Sequence, residues 1–322
     1  MFSPFGIYDV VALGEALIDF TPSGISPAGM MLFERNPGGA PANVLCALAN
    51  LGLRTAFIGK VGQDMHGEFL RNVLMEKHVD TGGLILDSDV FTTLAFVELS
   101  ESGERSFSFA RKPGADTRLR PDELSRERIQ GCRVFHFGSL SLTNEPAGSA
   151  TLAAVRMAKE AGALISYDPN YRAPLWPDRQ TAIQTMRSVL GEIDLIKISD
   201  DELELITGET AVDAAAKHLL EKGAGCVVIT LGSRGAFAAT ARGRVHVPAP
   251  AGPVVDTTGA GDSFWGGFLY QIIRGETAPA DLCEDALVKY TRFANKVATI
   301  CVGRRGAIPA MPTLEEVLAY QA

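Results

Sequence analysis

Residues 254–267 read VVDTTGAGDSFWGG, and this stretch constrains the fold and the chemistry more than any other part of the chain. A short apolar run leads through two threonines into Gly-Ala-Gly-Asp, and residues 263–273 then show the apolar pattern of a buried helix. Gly259 and Gly261 carry no side chains, so the backbone can approach a ligand closely there. The amides of these two residues and of Ala260 would lie at the positive end of the helix dipole, where phosphate binds.

Asp262 follows these amides directly, so its carboxylate would lie beside the predicted anion site. A negative charge is unfavourable there unless it has a task. The obvious task is to accept a proton from a hydroxyl group that attacks the phosphate. The alternative is an ordinary helix start in which Asp262 stabilises the dipole. The flanking residues 256–258 and the paired glycines Gly266 and Gly267 favour the phosphate site.

Strand and helix patterns alternate along the chain, regularly so from residue 134 onward. Apolar runs at 10–16, 55–61, 134–142, 164–170, 194–199 and 226–232 predict strands, and amphipathic or apolar segments between and after them predict helices. Such alternation implies right-handed crossovers and a mostly parallel sheet with helices on both faces. We therefore expect one α/β domain of three layers over residues 1–322.

Two segments depart from this rhythm. Residues 94–99 and 105–110 alternate aromatic with smaller or polar side chains around a turn at Ser102-Gly103, which predicts a hairpin in a small flap or second sheet. Residues 21–37 are rich in Gly, Pro, Ser and Met and predict an irregular excursion. The expected lid combines residues of about 21–36 and 91–112.

Polar residues follow several predicted strands, and in open sheets of this kind ligands bind outside the carboxyl ends of the strands. Asp19 and Asn43, with Gly38 and Gly39 between them, offer the paired donors and acceptors that a polyol or sugar needs. The two glycines could instead simply begin a helix. Arg172 could bind a phosphate or substrate oxygen in fork geometry, or form an ion pair with a nearby acid.

Further candidates fall at later strand ends. Glu202 could hold the waters of Mg²⁺, which touches few carboxylates directly, whereas Asp200 and Asp201 could simply be the acids of a helix N-terminus. The Gly-rich turn at residues 230–235 could cradle nucleotide phosphates or ribose, and Asn295 could meet the adenine edge. The nucleotide-site candidates are Lys197, Ser199, Thr230, Gly232, Gly235 and Asn295.

The loop CVGRRGAIPA at residues 301–310 consists of small residues and turns. Its carbonyl groups could wrap a monovalent cation beside the anion site, or the loop could be a simple connector. The candidate ligands for K⁺, mainly through backbone carbonyls, are Asp256, Thr258, Cys301, Arg304 and Gly306.

Composition excludes several classes of protein. The net charge is −8 and no basic tract occurs, so the electrostatic signature of a nucleic-acid-binding protein is missing. The five cysteines are scattered without a C-x-x-C pair, which argues against a disulfide framework or zinc site and for a reducing compartment. The sequence shows no secretory leader pattern and no run of 18 apolar residues. We expect a cytoplasmic protein that binds no membrane.

Taken together, these motifs resemble the ribokinase-like (PfkB) sugar kinases, and the resemblance extends over nearly the whole chain. Its landmarks here are GEALIDF, NPGGAPANVLCALANLG, IGKVGQDMHG, ARKPGAD, SYDPNYR, KISDDELELITG, ITLGSRGA and DTTGAGDSFWGGF. In combination they resemble the fructokinase branch. One departure is Ser199 in KISDDE, where the wider family has Asn in an Asn-x-x-Glu motif that serves Mg²⁺ and phosphate.

The resemblance implies a role for each of these clusters. Asp262 would be the catalytic base, and the amides before it would form the hole for the transferring phosphate. The sugar would contact Asp19, Gly38, Gly39 and Asn43, with Arg172 near the sugar or its phosphate. ATP, Mg²⁺ and K⁺ would be the cofactors, and the lid would close over the sugar and build a homodimer.

The function expected from the sequence is therefore ATP-dependent phosphorylation of D-fructose to fructose 6-phosphate. Ribose, 2-keto-3-deoxygluconate or a nucleoside such as adenosine remain alternative substrates. A catalytically silent sugar-binding regulator is a further alternative, although the intact GAGD motif argues against it. A dinucleotide-dependent dehydrogenase fits worse, because no G-x-G-x-x-G follows the first strand.

Overall fold

A large sheet forms from short apolar runs, because a strand covered by helices on both faces must be apolar on both sides. The computed structural model describes residues 7–99, 105–275 and 277–321. The strands in these ranges are β1 (Tyr8–Leu13), β2 (Leu17–Ile25), β3 (Met31–Gly38), β4 (Thr55–Gly62), β5 (Val79–Asp87), β6 (Leu94–Leu99), β7 (Arg105–Ala110), β8 (Cys132–Gly138), β9 (Leu164–Asp168), β10 (Leu195–Ser199), β11 (Cys226–Thr230), β12 (Ala236–Thr240) and β13 (Gly243–Val247).

Nine of these strands form the central sheet in the order β13-β12-β11-β10-β9-β8-β1-β4-β5. The strands from β11 to β5 pair in parallel, and β12 and β13 add an antiparallel edge. The mostly parallel sheet expected from the alternating patterns is therefore confirmed. Because the parallel strands all point the same way, the polar residues that end β9, β10 and β11 lie along one edge of the sheet.

Helices cover both faces of this sheet. The sheet therefore separates the core into two large apolar clusters, one on each face. The helices are α1 (Ala40–Asn50), α2 (Met65–Glu76), α3 (Arg126–Gln130), α4 (Ala147–Glu160), α5 (Arg179–Ser188), α6 (Leu203–Thr207), α7 (Val212–Glu221), α8 (Ala260–Gly275), α9 (Glu284–Val302) and α10 (Leu314–Ala319). Among the described residues, no helix is both long and apolar enough to span a bilayer.

A second sheet of four strands, in the order β3-β2-β6-β7, stands apart from the first. The hairpin β6–β7 has the bounds expected from the sequence, although its predicted turn at Ser102-Gly103 lies outside the described residues. The irregular excursion expected at residues 21–37 is wrong. Much of that segment belongs to β2 and β3, which pair with each other while β2 also pairs with β6.

Strand β5 was not predicted from the sequence. The apolar pair Val254 and Val255 does not enter the sheet. Both side chains are largely exposed, and the amides of Val255 and Asp256 donate to the carbonyl of Val302. The segment before α8 is thus tied to the end of α9, which places the start of α8 beside the loop that follows α9.

Close packing of α1 against α8 brings the first fifty residues to the last quarter of the chain. Gly266 makes this possible, because a β-carbon at that position would lie 2.8 Å from the β-carbon of Ala47. Trp265, next to it, is fully buried and donates from its indole nitrogen to the hydroxyl of Ser166 on β9 at 2.9 Å. The orientation of α8 is therefore determined by contacts on both sides.

Replacing Gly266 by Ala should push α1 and α8 apart, since the added methyl group has no room against Ala47. We expect a loss of about 1–3 kcal/mol in the free energy of unfolding, the usual effect of overpacking. Urea denaturation measures it. Gly191→Ala is the control, because nothing lies within 4 Å of a β-carbon there. Equal stability of the two variants would contradict this account of the helix contact.

Candidate active site

The predicted anion site lies at the N-terminus of α8, which begins at Ala260, within the three residues whose amides the sequence places at a helix start. Gly259 precedes it with φ +75°, a conformation that L side chains rarely adopt, and a β-carbon there would lie 2.8 Å from that of Ala307. Only glycine fits this position without strain. The Ala260 amide donates to the Thr257 carbonyl at 3.2 Å, so this one of the three predicted donors is already engaged.

Asp262 lies in the first turn of α8 and is 9% exposed. The side-chain amide of Asn43, in the first turn of α1, donates to its Oδ2 atom at 2.7 Å. Burial raises the pKa of Asp262 to about 6, and the negative charge of Asp168 adds to this rise. The charges of Lys197 and Arg172 and the hydrogen bond from Asn43 act in the opposite direction. Asp262 is therefore still ionised at neutral pH, and its basicity exceeds that of an exposed aspartate.

A buried ion pair lies directly below the anion site. Lys197 on β10 donates from Nζ to Oδ2 of Asp168, the last residue of β9, at 2.7 Å. Burial alone would lower the pKa of Lys197, but the charges of Asp168 and Glu202 raise it, so the ammonium group is retained. A β-carbon on Gly261 would lie 2.8 Å from this Nζ atom. The ammonium group of Lys197 therefore lies next to the backbone of the predicted anion site.

The sugar candidates converge on a cavity of about 560 Å³. Asp19, Gly39, Asn43 and Arg172 line it together with Asp262, so the residues predicted from opposite ends of the chain do share one cleft.

Two glycines shape this cleft. A β-carbon on Gly38 would lie 2.1 Å from Oδ2 of Asp19, and one on Gly39 would lie 2.3 Å from the carbonyl oxygen of Glu15. Gly38 itself is not among the lining residues. It lets the Asp19 carboxylate lie beside the end of β3, and Gly39 is the N-cap of α1. Burial raises the pKa of Asp19 to about 7, and Arg172 opposes the rise.

A second cavity, of about 720 Å³, adjoins the first. The two cavities share Thr230, Gly232, Thr257, Ala260 and Gly261. No charged side chain is among the described residues that line the second cavity, and its walls are formed largely by small and apolar residues. The anion site therefore lies at the junction of a polar cleft and a mostly apolar one.

Asn295 and Gly235 both line this second cavity. The Asn295 side-chain nitrogen donates to the carbonyls of Val247 and Pro248, at 3.0 and 3.2 Å. Both amide hydrogens are used in this way, so Asn295 holds the segment after β13 in place instead of offering them to a base. Asn295 therefore lines the second cavity, and its contact with the adenine edge stays a prediction.

Glu202 also lies in the polar cleft, but its oxygens are occupied by protein donors. Oε1 accepts from the Tyr171 amide at 2.7 Å, and Oε2 accepts from the amide and hydroxyl of Ser199 at 2.8 and 2.9 Å. These bonds connect the loop after β9 to the end of β10. Among the described residues, no group of three or more His, Cys, Asp or Glu side chains could hold a metal ion.

Asp256 joins the two segments predicted to supply cation ligands. Its Oδ1 atom accepts from the amide and hydroxyl of Thr258, at 2.9 and 2.7 Å, and its Oδ2 atom accepts from the Gly306 amide at 3.0 Å. The side chain of Arg304 forms an ion pair with Glu316, and Cys301 is buried. Any contact of these two residues with a cation would therefore use backbone oxygens, which suit a hard cation, and the Cys301 carbonyl already accepts from the Arg304 amide at 3.0 Å.

Glu15 and Arg111 were not among the site residues predicted from the sequence. Glu15, at the end of β1, is 3% exposed and lines the polar cleft. Arg111 follows β7 and forms a buried ion pair with Asp116. Glu15 lies at the end of the run of residues 10–16 that predicts the first strand, and this position was the available signal, because the other polar residues of the cleft also lie at strand ends.

Comparisons with known proteins agree with this geometry. The model of the pfkB family of carbohydrate kinases matches residues 8–314. A probable fructokinase-2 of Arabidopsis thaliana is 46% identical over 319 residues, which cover 97% of this chain and 95% of that protein.

Solved structures give the same result. A fructokinase with bound ATP from Xylella fastidiosa superimposes with a TM-score of 0.88 at 36% identity, covering 96% of this chain and 97% of that one. A fructokinase double mutant from Vibrio cholerae O395, in fructose-, ADP- and potassium-bound form, also gives 0.88, at 33% identity, covering 98% and 99%. With the family model matching almost the whole chain, the protein belongs to the pfkB family of carbohydrate kinases.

Proposed function

We propose that the protein is an ATP-dependent fructokinase, which transfers the γ-phosphate of ATP to the 6-hydroxyl of D-fructose. The observation that carries this proposal is the position of Asp262, a buried carboxylate in the polar cleft, directly after Gly261, which lines both cavities. The relatives support the choice of substrates, since the Xylella structure holds ATP and the Vibrio structure holds fructose and ADP.

In the proposed reaction, fructose occupies the polar cleft and the nucleotide occupies the apolar one. The 6-hydroxyl attacks the γ-phosphorus, a new oxygen–phosphorus bond forms, and the bond to ADP breaks. Asp262 accepts the hydroxyl proton, and Asn43 holds its Oδ2 atom so that Oδ1 is left to meet the hydroxyl. Its raised pKa suits a base that works near neutral pH.

Charge on the transferring phosphoryl group is stabilised by the backbone amides at the start of α8 and by the ammonium group of Lys197. Such preorganised groups, held in a site that excludes water, supply most of the catalysis in reactions of this kind. Val97 of β6 and Phe109 of β7 line the polar cleft, so the small sheet contributes an apolar wall on the sugar side. We propose that this sheet is the lid that excludes competing water.

Metal ions belong to the same proposal. Mg²⁺ bound with the nucleotide would neutralise the charge of the phosphate oxygens. Glu202 would contact this ion through a water molecule, because Tyr171 and Ser199 already donate to both carboxylate oxygens of Glu202. K⁺ would bind carbonyl oxygens near Asp256 and Gly306, which the Asp256 carboxylate holds together. Ser199 anchors Glu202 through its amide and its hydroxyl, which suits the family position usually filled by Asn.

An assay of ADP formation over fructose, ribose, 2-keto-3-deoxygluconate and adenosine tests this function. We expect the highest kcat/KM with fructose, and a higher rate with K⁺ than with Na⁺ as the sole monovalent cation. Preference for another sugar or nucleoside would overturn the choice of fructose. Absence of ADP formation with every acceptor would overturn the kinase and favour a sugar-binding regulator.

Replacing Asp262 by Asn removes the base while preserving shape. We expect kcat to fall by at least about a hundredfold, the usual contribution of a general base, with the Kd for fructose changing little. Steady-state kinetics and calorimetric binding measure the two effects. Asp285→Asn on the exposed part of α9 changes the charge equally and is the matched control.

The pH dependence gives a second measure of the same group. Below its raised pKa Asp262 is protonated and accepts no proton, so kcat/KM of the wild-type enzyme should rise as the pH increases through about 6. Asp19, with a pKa raised to about 7, adds to this rise. An Asp262→Asn enzyme that kept wild-type kcat would remove the base from the mechanism.

We also propose that two copies associate through the small sheet. Met31, Leu32 and Phe33 on the edge strand β3 are 54%, 45% and 43% exposed, so apolar side chains are exposed on both faces of that strand. Light scattering should give twice the 34.3 kDa chain mass. Phe33→Asp should shift the protein towards monomer, whereas Met75→Asp, at an exposed position on α2, should not. A monomeric wild-type protein would contradict the proposal.

A further inference from the structure

Glu15 combines deep burial with an unsatisfied oxygen. Its Oε1 atom accepts a hydrogen bond from the Ala40 amide at 2.9 Å, while its Oε2 atom has no hydrogen-bond partner. The residue lines the same polar cleft as Asp19 and Asp262. A buried acceptor without a donor is unfavourable by about 1–3 kcal/mol, so this oxygen gains from any donor that enters the cleft.

No neighbouring side chain satisfies this oxygen. Arg111 is the nearby cation, but its Nε donates to Asp116, its Nη1 donates to Thr143, and its Nη2 donates to the Leu140 carbonyl. Its charge is thus held in place at the end of β7 and lowers the pKa of Glu15 without forming a hydrogen bond to it.

The free oxygen is also held in place. Glu15 is anchored through Oε1 to the N-terminus of α1, where the helix dipole favours a negative charge. Gly39 allows this close approach, because any β-carbon there would lie 2.3 Å from the Glu15 carbonyl oxygen. The free oxygen is therefore fixed by a helix end and a strand end, which are rigid parts of the fold.

We propose that Glu15 is a further sugar-binding residue, whose free oxygen accepts a hydrogen bond from a fructose hydroxyl that Asp262 does not deprotonate. The inference rests on the proposed fructokinase function. Asn43 supports it, because its Oδ1 atom is likewise buried without a partner in the same cleft. Two such acceptors favour a ligand that carries many hydroxyl donors. A sugar has these donors, whereas a fully ionised phosphate group has none.

Protonation of Glu15 defines the conditions of the test. Burial raises the pKa of Glu15 to about 7 and the charge of Asp116 adds to the rise, whereas the backbone amides of Glu15 itself and of Ala40, and the charge of Arg111, oppose it. Asp19, with a pKa raised to about 7, and Asp262 titrate in the same cleft. Binding is therefore measured at pH 8, where Glu15 is ionised and its free oxygen is an acceptor only.

The experiment measures the Kd of fructose and of its 1-, 3- and 4-deoxy analogues by calorimetry, without nucleotide, for wild-type protein and Glu15→Gln. Glutamine keeps an oxygen for the Ala40 amide and places NH₂ where the free oxygen was. We expect Glu15→Gln to weaken fructose binding about tenfold, as befits the loss of a hydrogen bond to a charged acceptor. With one deoxy analogue, the one lacking the contacted hydroxyl, wild type and variant should differ by less than about twofold.

Asp194→Asn is the matched control. The Asp194 carboxylate also accepts from a backbone amide, that of Ile165 at 2.7 Å, but it lies just before β10, at the opposite end of that strand from the cleft. This variant should leave the Kd of fructose unchanged.

The outcomes separate the two proposals. An equal loss of affinity for fructose and for every deoxy analogue would show that Glu15 acts on the structure only, and no loss at all would show that it makes no contact with the sugar. Either result would overturn the assignment. Failure of the wild-type protein to bind fructose would instead overturn the proposed function, and the role of Glu15 with it.

Discussion

A 2.7 Å hydrogen bond from Asn43 to Asp262 connects residues 219 positions apart, and the geometry of the site depends on it. It exists because α1 and α8 lie in contact, which Gly266 allows by presenting no side chain to Ala47. The bond orients the base and favours its ionised form, which limits the rise in pKa that burial causes. Helix packing in the core therefore influences both the direction and the basicity of the carboxylate that we propose as the base.

Acidic groups dominate this cleft, so the energetics of the site depend on how their charges are balanced. Burial raises the pKa values of Asp262, Asp19 and Glu15 to between about 6 and 7. Lys197 remains charged because Asp168 and Glu202 face it. His136, buried nearby, stays neutral because burial and the charge of Lys197 lower its pKa to about 3. The positive charge against the anion site is thus held by lysine, whose ammonium group does not titrate near neutral pH.

Local patterns predicted much of this fold, and their failures have a common cause. The hairpin β6–β7 was found with its observed bounds, because alternating side chains mark a sheet with one covered face. Residues 79–87 form β5 although they include two adjacent glycines, which have low strand propensity. The hydrogen bonds of the pairing with β4 stabilise the extended backbone there. Residues 21–37 likewise form strands through pairing between β2, β3 and β6, which composition does not reveal.

The sequence by itself determined the alternating α/β architecture, because that depends on local apolar patterns, and it predicted the phosphate-binding amides and the base from the residue types of one short stretch. Only the tertiary structure decided which hydrogen bonds the long-range partners make. Asn295 uses its amide hydrogens on the backbone, Glu202 is held by Ser199 and Tyr171, and Glu15 enters the sugar cleft. The physical reason is that a hydrogen bond depends on distance and direction between atoms from separate elements, and the packing of those elements determines both.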